Sequence, residues 1–221
     1  MSILLPIIAV ILGFVIALFL KANSNAVKLL LSFSGAFLLS ITVFEFLPQV
    51  YRENSETVGI FIMLGLLLQI VLEFLSKGAE HGHLHPLENQ NQFPWALFFG
   101  LCVHALLEGF PLHHNHHLLF GVVVHKIPIA VIISAFLLGS SLSKTKVVFF
   151  LCVFALMTPL GSFLQAHTSF FEGMEVYINA MIIGIFLHVS TTILFESSKN
   201  HQFNASKMIV IVLGILLAYF L

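Results

Sequence analysis

The sequence predicts an all-α membrane protein that crosses the bilayer eight times, on three observations. Of its 221 residues, 59% are hydrophobic and only 9% charged, far below the roughly 25% charged residues of soluble domains. The apolar residues gather into long uninterrupted stretches, and a helix needs about 17 to 25 such residues to cross a hydrocarbon core of roughly 30 Å. Basic residues, finally, fall in alternate connections.

The eight stretches run from Ile3 to Leu20, Leu29 to Leu47, Val58 to Leu75, Pro94 to Leu112, Leu118 to Leu138, Val147 to Leu164, Val176 to Phe195 and Met208 to Leu221. The first has no basic leader and no A-x-A cleavage site, so it is expected to be a retained helix and not a signal peptide. All eight are candidate spans, with ends placed to within several residues. Cys102 and Cys152 fall inside the fourth and sixth stretches and imply no disulfide framework.

Lys21 and Lys28 flank the first connection, Lys77 the third, Lys144 and Lys146 the fifth, and Lys199 and Lys207 the seventh. Arg52 alone lies in a connection on the other side, and Lys126 lies within a helix. Because short cytoplasmic loops collect lysine and arginine, the pattern puts both termini outward, in the cell (inner) membrane. The chain is expected to form one transmembrane domain over residues 1–221. Its net charge of −1 excludes nucleic acid as a partner on electrostatic grounds. The lipid bilayer is the expected surrounding and a homodimer the candidate assembly.

The longest polar stretch, Ser76 to Phe93, holds Glu80, His81, His83, His85 and Glu88. Imidazoles at H-x-H-x-H spacing suit transient capture of zinc, copper or nickel, and a solvated loop with no metal role fits equally. His113, His114, His116 and His117 crowd the turn between the fourth and fifth stretches, as entrance ligands or as polar filler.

The most informative residues lie in the hairpin these two stretches form. His104 and Glu108 are four residues apart and therefore share one helical face. His104 lies ten residues before the turn near His114 and His125 eleven after it, which at 1.5 Å per residue puts both roughly 15 Å deep, near the midplane. A single histidine in an apolar helix is more often a packed, hydrogen-bonded residue than a ligand. Two imidazoles, a carboxylate and Lys126 at one level are costly unless paired or hydrated, and mark ion pathways. Pro128 leaves the carbonyl of Val124 without its helical donor, which is tolerated at membrane depth beside a polar cavity. Gly100, Gly109 and Gly121 allow close helix approach.

At these residues the chain resembles the ZIP (Zrt/Irt-like) metal transporters, whose fourth helix carries H-x-x-x-[ED]-G and fifth H-x-[IV]-P. Here the motifs read His104, Glu108, Gly109 and His125, Ile127, Pro128. SGAFLLSITVFEFLPQ, TPLGSFL and GIFLHVSTTILFE, in the second, sixth and seventh stretches, are also similar to the family's. The resemblance implies eight helices, a metal site between helices four and five, and inward transport of zinc by movement of one helix group against the other. It further implies an inverted repeat, echoed in FLLSITVFE and FLHVSTTILFE, which end at Glu45 and Glu196.

Many relatives hold two metals, but Ala105, Lys126 and Thr158 stand where their second-site ligands would be. A single-metal site of His104, Glu108 and His125 is therefore implied, with Lys126 as counter-ion at the vacant position. Ile129 replaces a further Glu, and Glu45 stands where relatives often carry His. Two imidazoles and a carboxylate with exchangeable water suit zinc and fit calcium or magnesium poorly; iron(II), cobalt and cadmium share the preference. Glu45, Glu73 and His188 are further candidates for the pathway. The rival classes are an intramembrane hydrolase and a metal sensor or scaffold; the first lacks an H-E-x-x-H motif. The chain is expected not to be an enzyme.

Overall fold

The computed structural model describes residues 2–20, 24–53, 56–76, 78, 92–113, 115–168, 171, 173–196 and 204–221. The described residues form eight helical rods and no strand. These are α1 Leu4–Ala17, α2 Asn25–Arg52 and α3 Val58–Ser76, α4 Trp95–His113, α5 His116–Gly139 and α6 Lys144–His167, α7 Glu175–Glu196 and α8 Ala205–Tyr219.

Six of them, α2 to α7, are long and apolar enough to cross a membrane. The outer two are shorter than the stretches expected from sequence, with 14 residues in α1 and 15 in α8. At 1.5 Å per residue each is little over 20 Å long, below a full hydrocarbon thickness. Apolar composition continues past Ala17 through Leu18, Phe19 and Leu20, but the backbone there has already left the helix as a turn.

Helix starts are set locally. The Ser24 hydroxyl accepts from Val27 N–H at 3.3 Å, the Asn115 side chain from Leu118 N–H at 2.9 Å and that of Asn204 from Ser206 N–H at 3.3 Å. Each cap satisfies an N–H that the first turn leaves without a partner. Lys28, Lys146 and Lys207 follow within four residues of helix starts, in α2, α6 and α8.

Two helices change pitch where proline removes a donor. Pro48 has no N–H to give, and just before it Leu47 N–H reaches back five residues to Thr42 O, closing a π turn over Thr42–Phe46 within α2. Pro111 likewise coincides with the tightening of α4 into a 3-10 turn over Phe110–His113. Pro128 and Pro159 instead lie within continuous α-helix in α5 and α6.

Packing divides the rods into two sets. In one, α1 lies against α5 and α6, and α4 against α6; in the other, α2 lies against α7 and α8, and α3 against α7. The sets meet mainly where α2 touches α5 and α3 touches α4. Within the first set the crossing of α4 and α6 is unusually close, because Gly109 has no Cβ to strike the Thr158 carbonyl and Gly161 none to strike that of Leu106. Side chains on the lipid-facing surface are mostly large and apolar, including Phe74, Phe149, Phe163 and Phe195, as a chain surrounded by hydrocarbon requires.

Candidate metal site

The close α4–α6 crossing brings Thr158 onto the face of α4 that carries His104 and Glu108. All three side chains are buried, as are His125 and Lys126 on α5. Thr158 Oγ1 donates to Glu108 Oε1 at 2.7 Å, and the Lys126 ammonium donates to the same oxygen. Nζ also stands over the Phe154 ring, 4.7 Å from its centroid, within the range of a cation–π contact. The buried ammonium is thus held by one carboxylate and one aromatic face. The buried cation and buried anion are paired, which offsets part of the cost of burying each.

His104 lies on the other side of Glu108. Its Nδ1 is 3.0 Å from Oε1 of Gln69, a side chain of α3 with no exposed surface. Its Nε2 is 3.7 Å from Glu108 Oε2. That gap is too long for a hydrogen bond but close to the roughly 3.4 Å between two ligand atoms of a tetrahedral zinc with bonds of about 2.0–2.1 Å. The pair is therefore spaced to chelate a cation with little movement. Among the described residues no three His, Cys, Asp or Glu side chains stand close enough to hold one ion. The structure brings His104 and Glu108 together and buries His125 in the same hairpin, without gathering all three around a point.

Glu45 and His117 meet at one end of the bundle. Glu45 sits within the π turn, and His117 Nδ1, at the start of α5, lies 2.8 Å from both of its oxygens. Beside this pair, Asn115 Nδ2 donates to Gln49 Oε1 at 3.4 Å. Both contacts link α2 to the start of α5. His113 and His116 are exposed, and His114 lies outside the described residues.

Toward the other end, Glu73 on α3 and His188 on α7 pair at 2.5 Å. They line a cleft of about 720 Å³ with Ile70, Phe74, Leu75 and Ala96. Glu73 is one helical turn beyond Gln69, roughly 6 Å along α3, so polar groups continue from the central cluster to the cleft. His81, His83 and His85, with Glu80 and Glu88, lie outside the described residues, as do Lys21, Lys77, Lys199 and the side chain of Glu196.

Gln69 was not legible as a site residue: one amide in an apolar helix carries no motif, and only the packing of α3 on α4 aims it at His104. Thr158 had a signal, since it stands where a second-site ligand is expected, but its bond to Glu108 depends on the glycine crossing. No match to the chain is found among curated proteins. The family model of the ZIP zinc transporters matches residues 76–221, which is most of the chain and includes His104, Glu108, His125, Lys126, Thr158 and His188. ZIP family members are transporters of divalent metals, and with the apolar helices this match makes the chain an integral, multi-pass membrane protein that belongs to the ZIP zinc transporter family.

Proposed function

We propose that the chain takes zinc into the cytoplasm by alternating access, through a single-metal site made by His104, Glu108 and His125. One observation carries the reading: a buried imidazole and a buried carboxylate, 3.7 Å apart on one face of α4, at a depth where neither is tolerated without a partner or a purpose. Two imidazoles and a carboxylate, with water completing the shell, bind zinc and still let it leave. Lys126 holds the place of a second metal. It pairs with Glu108 while the carrier is empty, and arriving zinc competes with the ammonium for that carboxylate.

All eight rods cross the bilayer in this reading, α1 and α8 included, and both termini face outward. The basic residues near the starts of α2, α6 and α8 support that orientation. The division of the rods into two sets supports movement of one set against the other. The Glu45–His117 contact then belongs to the outer end, and the cleft with Glu73 and His188 is the exit toward the cytoplasm. His81, His83 and His85 offer transient capture at that side.

The deciding measurement is zinc flux into sealed vesicles containing the purified chain. A carrier moves zinc down its gradient, whereas a hydrolase or scaffold does not. Alanine at His104, Glu108 or His125 should each abolish most of the flux, because each removes a lone pair that alanine cannot replace. Variants that reconstitute normally and retain wild-type flux would overturn the assignment of those residues.

A further inference from the structure

We infer that Gln69 is a positioning residue for the metal site: its amide oxygen selects the tautomer of His104 and so presents Nε2 as the nitrogen that takes the metal. This rests on the reading of His104 as a ligand given above.

The geometry supplies each step. Gln69 Oε1 stands 3.0 Å from His104 Nδ1, with both side chains buried. An amide oxygen only accepts hydrogen bonds, so the proton of a neutral imidazole facing it belongs on Nδ1. The ring's lone pair is then on Nε2, the nitrogen 3.7 Å from Glu108 Oε2. Were the proton on Nε2, the ring would donate toward Glu108 and offer metal nothing on that side. The other hydrogen bond of a ligating histidine commonly sets its tautomer and orientation, and losing the partner typically costs about 10–100-fold in metal affinity. Here that partner comes from a different helix set. Gln69 rides on α3 and His104 on α4, and these two helices belong to different sets. Gln69 therefore fixes the ring from outside the hairpin that carries the ligands.

The test uses the full chain, purified and labelled with 15N-histidine, with zinc alone as the probe. The His104 resonances are identified by their loss in His104→Gln. In zinc-free wild type the His104 ring should show the Nδ1–H tautomer. Gln69→Met keeps the length and removes the acceptor; it should mix the tautomers and weaken zinc binding by about 10–100-fold. Gln69→Glu restores an oxygen acceptor and should return both the tautomer and the affinity close to wild type. A structural role for Gln69 alone would not be rescued in this way. An Nε2–H tautomer in wild type overturns the inference, and so does a Gln69→Met protein that binds zinc like wild type while His104→Ala does not. If His104→Ala itself leaves zinc affinity unchanged, the site reading fails and this inference with it, an outcome distinct from the other two.

Discussion

Replacing Lys126 by alanine removes the ammonium held against Glu108. Both members of the pair are about 2% exposed, so the carboxylate left behind keeps the Thr158 hydroxyl as a donor at 2.7 Å but loses its ammonium. Breaking a buried pair from one side costs about 3–5 kcal/mol, largely the cost of the abandoned charge. The zinc-free variant should therefore melt well below wild type. Zinc can supply the missing charge, and it no longer has to displace an ammonium to do so. If half of the pair's cost passes into metal affinity, about 1.5–2.5 kcal/mol, zinc should bind roughly 10–60-fold more tightly, at about 1.4 kcal/mol per factor of ten. Most of that change should lie in slower release. Calorimetric titration of the purified variant, thermal melting with and without zinc, and vesicle flux read the three effects. Saturating zinc should recover more thermal stability in the variant than in wild type, since a ligand that binds the folded state more tightly stabilises it more at equal concentration. An unchanged zinc affinity, with uptake keeping its wild-type pH and concentration dependence, would show that Lys126 and zinc do not compete for Glu108.

Gly109→Ala places a methyl group against the Thr158 carbonyl, with its carbon 3.0 Å and Ser162 N 3.1 Å away. Backbone atoms cannot step aside as a side-chain tip can, so α4 and α6 must separate at a cost of about 1–3 kcal/mol; a lowered melting temperature and reduced flux are expected, and a wild-type melting curve would show that the crossing has room to spare. Replacing His81, His83 and His85 together should alter the uptake rate only modestly, because a solvated loop is not an obligatory path. Complete loss of flux in that variant, with normal insertion, would place these histidines on the route itself.

Much of the fold was legible because the membrane imposes it. A chain with so few charges must hide its backbone polar groups in helices, and the apolar stretches locate α2 to α7 to within a few residues. The lengths of α1 and α8 were not, since an apolar run reports where hydrocarbon is tolerated and not where the backbone stops being helical. The π turn in α2 had a visible cause in Pro48, but no pattern in the residues says that Glu45, within it, meets His117. The two helix sets were equally hidden, because in lipid every apolar face looks alike and small residues decide which faces meet.

The candidate site divides in the same way. His104 and Glu108 were readable as neighbours from their spacing on one helix, where geometry follows from sequence number alone. That His125 and Lys126 lie well inside the fifth apolar stretch followed from counting along it. Depth does not fix direction, and only the packed structure put the ammonium between Glu108 and the Phe154 ring while leaving His125 out of a three-donor group. Gln69 and Thr158 enter the site from α3 and α6, at sequence separations of 35 and 50 residues from their partners. Composition and residue order alone show a helical membrane protein with ionisable groups inside its apolar helices, because burial in hydrocarbon is a constraint on composition and order. Tertiary structure alone decided which oxygen each of those groups faces, because contacts between helices depend on rotation and crossing distance, and here a glycine with no Cβ sets the distance that matters.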